Sequence, residues 1–226
     1  MSNIFTNANL KLDNFNDPNC FSGEDETALS EIYDDKYNIS IWSRRLDESI
    51  INSAKNIINK KPNLELKLFV RPDNVEDKIK TSFTNNEELP LISRDIKSLV
   101  DMYCYLFELN EIGLSLRVLD KAMCPRFHVD HVPCRLITTY TGVTTQWLPH
   151  TSVDRSKLGK GNNGKKDEES GLFGQSTDIK QLCVGDVALL KGESWYGNSG
   201  AGLVHRSPHV EDTNSKRLLL TLDFLN

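Results

Sequence analysis

Two side chains in the middle of the chain, His128 and Asp130, have the residue types and spacing of a metal-binding pair. In an extended strand, residues two apart project from the same face, so an imidazole and a carboxylate can reach one point. The five histidines of the chain all lie between positions 128 and 209, at His128, His131, His150, His205 and His209. Because histidine is a frequent metal ligand and the usual acid or base at neutral pH, this crowding marks where we expect chemistry.

A third ligand and an anion-binding group are predicted further along the chain. Residues 202–205 have the pattern of a short strand that ends at His205, and Arg217 opens a later apolar strand. A His-x-Asp, a distant histidine and an arginine shortly beyond it form the pattern of a facial triad with an anion-binding group. Such a triad leaves about half of an octahedral Fe(II) shell open. An arginine fork binds a carboxylate through two parallel hydrogen bonds, which lysine does less well.

The passage GDVALLKGESWYGNSGAGLVHRSPHVEDTNSKRLLLTLDF resembles the second half of the double-stranded β-helix of Fe(II)/2-oxoglutarate dioxygenases, particularly the phytanoyl-hydroxylase-like branch. The resemblance covers about residues 114–226. It implies an oxidoreductase that uses Fe(II) and 2-oxoglutarate, with His128, Asp130 and His205 as catalytic metal ligands. It also implies that Arg217 binds 2-oxoglutarate.

Other side chains are candidates for the cosubstrate carboxylate. Many members of the oxygenase superfamily have Ser or Thr two residues after the arginine, but this chain has Leu219 there, and Thr221 follows on the same face. Arg135 and Tyr140, on a predicted neighbouring strand, supply a second guanidinium and a hydroxyl. We therefore include Thr221, Arg135 and Tyr140 among the predicted cosubstrate-binding residues.

A second resemblance favours a different metal. The segments CPRFHVDHVPCRLITTY and LVHRSP are similar to a bacterial domain family of unknown function that is often encoded near zinc-homeostasis proteins. Cys124, His131 and Cys134 lie close together in sequence beside His128, and thiolates favour Zn²⁺. The alternative function is therefore a non-catalytic zinc-binding protein involved in metal homeostasis.

Hydrophobic periodicity predicts an α+β fold, mainly β: a double-stranded β-helix, or cupin-like jelly roll, with N-terminal helices packed on one sheet. Two helices are predicted, at residues 47–59 and 93–109, and a polar connector is expected before the second. The predicted strands are short and separated by turn residues, as is typical of an antiparallel sandwich. They are residues 37–42, 64–70, 114–119, 127–132, 135–140, 144–148, 179–183, 186–191, 202–205 and 217–224.

These elements predict three regions. Residues 1–27 form a loosely ordered lead-in, 28–113 an α/β support and 114–226 the core. A polar, glycine-rich insertion at about 152–177 interrupts the core and is either a mobile lid or disordered. Trp147 and Trp195 are predicted apolar walls of a pocket that holds the substrate near this insertion.

Composition excludes some functions. The net charge of −5 over 226 residues argues against nucleic acid or an anionic membrane as the main partner. No apolar run is long enough to span a bilayer, so we expect a cytoplasmic protein. The five cysteines are scattered along the chain, so we expect free thiols. The expected partners are a small-molecule cosubstrate and a substrate that the sequence does not identify.

Overall fold

The computed structural model describes residues 17–83, 89–208 and 216–225, except for the side chains of residues 89 and 90. Residues 1–16 of the predicted lead-in and His209 lie outside these ranges. Within them, no helix combines the length and the hydropathy needed to cross a bilayer. All five cysteines are free.

In the described residues, ten strands form two sheets that enclose an interior. They are β1 (Cys20–Gly23), β2 (Ile39–Trp42), β3 (Glu65–Val70), β4 (Ile112–Leu119), β5 (Cys134–Thr141), β6 (Gln146–Leu148), β7 (Lys180–Gln181), β8 (Val187–Lys191), β9 (Val204–Arg206) and β10 (Arg217–Asp223). The larger sheet has the order β1-β2-β8-β5-β10-β4-β3, and the smaller sheet has the order β7-β6-β9. Only the β1–β2 pair is parallel among the paired strands described. This antiparallel two-sheet arrangement is mainly β, as predicted.

Alternation along the strands of the larger sheet divides its residues between two hydrophobic clusters. In β10, Leu218, Leu220 and Leu222 belong to one cluster, whereas Leu219 belongs to the other. The cluster that contains Leu219 also includes Trp147 of the smaller sheet. Because successive side chains of a strand point to opposite faces, Arg217 shares the face of Leu219 and points into the interior between the sheets.

Three helices contribute to the other cluster. They are α1 (Glu48–Lys60), α2 (Val75–Ser82) and α3 (Leu89–Leu106). Buried residues of each, such as Ile57, Ile79 and Leu99, share one cluster with Leu218, Leu220 and Leu222. The helices therefore cover the outer face of the larger sheet and leave its inner face to the site.

Three elements differ from the sequence interpretation. Helix α2 occupies the predicted polar connector: its buried Val75 and Ile79 lie four residues apart among charged neighbours. Strand β1 lies within the predicted lead-in, before a 3-10 helix at Glu26–Tyr33. The strand predicted at 127–132 is reduced to a single antiparallel bridge between His128 and His205.

Candidate metal centre

His128, Asp130 and His205 meet in space. Their ligand atoms all lie within 4.8 Å of one another, and no other group of three or more His, Cys, Asp or Glu ligands occurs in the described part of the chain. Asp130 lies between the imidazoles, with Oδ1 3.6 Å from His128 Nε2 and Oδ2 3.3 Å from His205 Nε2. Two ligands at about 2.1 Å from one ion, at right angles, would be about 3 Å apart. The spacing is therefore compatible with a shared divalent ion.

Backbone pairing brings the two ligand segments together. The amide of His128 donates to the carbonyl of His205, and the reverse bond is also made, both at 3.0 Å. The carbonyl of Asp130 accepts from the amide of Glu193 at 2.9 Å. A Cβ at Gly192 would lie 2.0 Å from the carbonyl oxygen of Val132, so only glycine permits this close approach.

The hydrogen bonds of both histidines favour the tautomer that a metal needs. His128 Nδ1 lies 2.9 Å from the carbonyl oxygen of Arg126, and His205 Nδ1 lies 3.1 Å from that of Leu203. A carbonyl oxygen only accepts, so each Nδ1 carries the proton, and in the neutral ring Nε2 keeps its lone pair. Both lone pairs then face the Asp130 carboxylate, which is an arrangement that a cation between them would stabilise.

The surroundings keep Asp130 ionised. Burial by itself would raise the pKa of Asp130, but the two imidazoles and the Arg135 guanidinium outweigh burial and hold that pKa well below its usual range. For His128, burial favours the neutral ring, but the Asp130 carboxylate and the Arg126 carbonyl together outweigh burial and raise the pKa of His128. A carboxylate that stays charged beside two imidazoles is suited to bind a divalent cation.

The hydrogen bonds of Arg135 go to two acidic side chains. It donates to Asp130 Oδ2 at 2.6 Å and, through Nε and a terminal nitrogen, to both Asp223 oxygens at 2.7 and 3.2 Å. Residues 135 and 223 are register partners on β5 and β10, so the sheet itself places this pair. Arg135 therefore holds the Asp130 carboxylate, and its role in cosubstrate binding stays a prediction.

Arg217 has the surroundings of an anion-binding group. It is only 1% exposed, and its hydrogen-bond partners are the hydroxyls of Ser207, Thr139 and Thr145, at 3.3 to 3.4 Å. Its Nε is buried and has no hydrogen-bond partner within residues 17–83, 89–208 and 216–225. Burial lowers the pKa of Arg217 to about 10. A buried guanidinium that meets only neutral acceptors among the described residues lacks the carboxylate that such a group normally has.

Two of the other predicted residues face elsewhere. Tyr140 belongs to the cluster on the helix side of the sheet, where its hydroxyl donates to Asp95 at 2.7 Å. Trp195 also packs on that side, with its ring centroid 5.4 Å from that of Tyr33. The prediction that Trp195 forms a pocket wall was wrong. The sequence does not reveal on which face of the sheet this side chain packs.

Trp147 and Thr221 lie on the inner side. Trp147 is fully buried and is the register partner of His205 on β6 and β9, so the two side chains point the same way. Its Nε1 has no hydrogen-bond partner among the residues described. Thr221 lines a cavity beside Arg135 and Leu219.

The alternative zinc ligands are not brought together. Cys134 is fully buried in the cluster on the helix side, whereas His131 is exposed and Cys124 is partly exposed. Burial raises the pKa of the Cys134 thiol, which opposes the thiolate that zinc needs. Cys134 and Arg135 are adjacent in β5, so one faces the helices when the other faces the interior.

The insertion is attached to both ligand-bearing segments. It contains short 3-10 turns and a helix, α4 (Asp167–Ser170). The Asp167 carboxylate accepts from the amide of Phe127 at 2.7 Å and forms ion pairs with Arg126 at 3.0 Å and Arg206 at 3.6 Å. Arg126 and Phe127 precede His128, and Arg206 follows His205. That the insertion at about 152–177 acts as a mobile lid stays a prediction.

Several residues that position the site were not found from sequence. Glu193 holds the turn before His205, because its carboxylate accepts from the amides of Gly200 at 2.6 Å and Gly202 at 3.1 Å. Its own amide also binds the Asp130 carbonyl, so Glu193 links both ligand segments. Asp223 and the three hydroxyl partners of Arg217 were missed as well, since nothing in their local sequence indicates these distant contacts.

Comparisons with known proteins agree with this architecture. The family model described as "Protein of unknown function (DUF1826)" matches residues 23–223. No curated protein sequence gave a significant match. Among solved structures, the chain is similar to the dioxygenase for auxin oxidation 1 of Arabidopsis thaliana in complex with 2-oxoglutarate, with a TM-score of 0.54, 9% identity and 92% of each chain covered. It is also similar to the rice dioxygenase for auxin oxidation, with a TM-score of 0.50, 10% identity and 91% and 82% of the chains covered. At this identity the likeness shows the fold, a double-stranded β-helix.

Proposed function

We propose that this chain, which belongs to the DUF1826 family, is an Fe(II)- and 2-oxoglutarate-dependent oxygenase. One observation carries the proposal: within one double-stranded β-helix, a two-histidine, one-carboxylate cluster occurs together with a buried arginine that meets no carboxylate of the described residues. Either feature alone occurs in proteins of many functions. Together they supply the two groups that this chemistry needs.

The donor set fits Fe(II). Two imidazoles and one carboxylate leave further coordination positions for a cosubstrate and O₂, and the cluster contains no thiolate that would favour Zn²⁺. His128, Asp130 and His205 would hold the ion, each histidine through its Nε2. Outer hydrogen bonds from Nδ1 to backbone carbonyls fix both rings for this task.

The surroundings of Arg217 fit 2-oxoglutarate. The guanidinium is buried, faces the interior and lacks a carboxylate partner among the described residues. The far carboxylate of 2-oxoglutarate would provide that partner, and the hydroxyls of Thr139, Thr145 and Ser207 offer additional donors around it. Ni²⁺ or other divalent ions are expected to occupy the same triad without supporting turnover.

The chain's own residues prepare the site for an oxidation. Bound Fe(II) and 2-oxoglutarate would supply O₂ activation: one oxygen atom enters succinate as CO₂ leaves, and the other converts a substrate C–H to C–OH. Asp130 stays ionised because Arg135 and the imidazoles stabilise its charge. Trp147, Leu219 and Ile137 line the interior with apolar surface and limit water there.

The test is turnover of the cosubstrate. Fe(II), 2-oxoglutarate and O₂ should give slow succinate formation even without substrate, and Asp130→Ala should abolish it while the circular dichroism spectrum is unchanged. His131→Ala is the matched control, because His131 is exposed and outside the cluster. Succinate formation that persists in Asp130→Ala would contradict the proposal, as would stoichiometric zinc in a protein that shows no response to 2-oxoglutarate.

A further inference from the structure

A cavity of about 460 Å³ opens on the inner face of the larger sheet, next to the metal cluster. It lies along β3, β4 and β10, and Arg135, Leu219 and Asp223 form part of its wall. Its volume is in the range of small-molecule sites, roughly 300 to 1,000 Å³. Because Arg135 also donates to Asp130, this side chain forms the boundary between the cavity and the metal cluster.

Apolar side chains at the cavity are left open to solvent. Phe69 is 65% exposed and Met123 is 43% exposed, and both line the cavity together with the buried Leu219. Large exposed apolar groups around a concave site indicate a ligand with an apolar body, because removal of their surface from water by such a ligand is favourable.

The same cavity has a cationic edge with unused hydrogen-bonding capacity. Arg117 and Lys67 line it, and they share one carboxylate, Glu65, at 3.2 and 3.0 Å. Another Arg117 nitrogen donates to the thioether of Met123, which is a weak acceptor. The Nε of Arg117 is buried and finds no hydrogen-bond partner in the part of the chain that the structure describes. Two cations with one shared carboxylate and a thioether leave a net positive charge and donors free for an anion.

We propose that this cavity is the substrate site and that it binds a small organic anion: an apolar body against Phe69, Met123 and Leu219, and a carboxylate at Arg117 and Lys67. The identification of this ligand as the substrate rests on the proposed function. The binding itself does not, because none of the cavity residues is a metal ligand. The apolar body would extend from the cationic edge toward Arg135, and so toward the metal cluster.

The experiment is a binding comparison on the full chain without metal, by ligand-observed NMR and calorimetry. The probes are 3-phenylpropanoate, 5-phenylpentanoate and 1-naphthoate, each beside its neutral amide, and 3-phenylpropylamine. We expect at least one carboxylate to bind about tenfold more tightly than its amide, as a charge-assisted contact would require, and the amine to bind more weakly still.

Variants assign that binding to the cavity. Arg117→Gln should remove the preference for carboxylate over amide. Lys67→Gln should reduce this preference, and because Lys67 is exposed the substitution should not affect folding. Phe69→Ser should weaken the binding of acids and amides alike. Tyr196→Ser, at a residue that is 98% exposed, should leave the affinity of every probe unchanged. His205→Ala should keep the binding even if turnover is lost, which separates this proposal from the proposed function. Equal affinity for acids and amides, no binding of any carboxylate, or binding unchanged in Arg117→Gln and Phe69→Ser would overturn it.

Discussion

The guanidinium groups of Arg135 and Arg217 show how one residue type serves two purposes within a single site. Arg135 forms ion pairs with the carboxylates of Asp130 and Asp223, so it stabilises negative charges that the protein itself supplies. Among the described residues Arg217 meets only hydroxyls, so its charge remains available to an incoming anion. Their partners, and not their residue type, decide the roles that we propose: Arg135 positions the Asp130 carboxylate and Arg217 binds the cosubstrate.

Arg217, a buried charge with no carboxylate partner in the described part of the chain, should destabilise the protein when no anion is bound. We expect Arg217→Met to raise the free energy of unfolding of the cosubstrate-free protein by up to roughly 1–3 kcal/mol, because burial of a charge without a partner is unfavourable. Urea unfolding measures this change, with the exposed Arg45→Met as the control. Near-saturating 2-oxoglutarate, at about 100 times Kd, should stabilise the metal-loaded wild type by about 2.7 kcal/mol and the variant not at all. A clear loss of stability in the variant without 2-oxoglutarate would contradict this account.

Loss of the Arg135 contact should weaken metal binding. Arg135→Gln removes the charge that orients Asp130, and changes of this kind typically reduce metal affinity about 10- to 100-fold. Calorimetric titration with Mn²⁺ or Co²⁺ measures the effect, and Asp223→Asn should shift the affinity in the same direction. Arg71→Gln disrupts an exposed Arg–Asp pair and is the control. Equal metal affinity in Arg135→Gln and Arg71→Gln would show that Arg135 does not position the ligand.

At the scale of elements, periodicity gave most strands and the two long helices within a few residues. The His-x-Asp, His205 and Arg217 could also be identified, because their spacing along the chain is informative. The Arg135–Asp223 pair could not, since 88 residues separate its members and only the β5–β10 register joins them. Helix α2 was missed because charged residues surround Val75 and Ile79, so its apolar face is only two residues wide.

One turn controls where β10 begins. Gly142, just after β5, has a φ of +90°, and a Cβ there would lie 2.7 Å from both Cα and Cβ of Arg217. The adjoining register shift between Leu218 and Leu219 marks the same irregularity in the sheet. Gly142 therefore permits the close approach that places Arg217 at the start of its strand.

Substitution of this glycine should affect both stability and the arginine. Gly142→Ala combines an unfavourable φ with a clash, so we expect a loss of about 2–4 kcal/mol in the free energy of unfolding and weaker 2-oxoglutarate binding. Gly164→Ala is the matched control: its φ is +77° and nothing lies within 4 Å of its Cβ position. The control should lose only about 1 kcal/mol. Similar losses in the two variants would mean that contact with Arg217 contributes nothing.

At the scale of the molecule, the two sheets gather side chains that are far apart in sequence around one interior. Helices cover the outer face of the larger sheet, so its inner face is free to carry Arg135, Arg217 and the wall of the cavity. The smaller sheet and the bridge at His128 supply His205, Trp147 and the His-x-Asp segment. Asp167 of the insertion connects to both of these segments, so the site depends on the whole architecture.

We propose that the triad and Arg217 bind Fe(II) and 2-oxoglutarate as one unit. The most direct test is an anaerobic absorbance scan of the purified protein with Fe(II), with and without 2-oxoglutarate. We predict a weak visible charge-transfer band that requires both components, is lost in His205→Ala and in Arg217→Ala, and is retained in Arg45→Ala. A protein that binds Fe(II) without giving this band, or a band that persists in Arg217→Ala and His205→Ala, would contradict the claim.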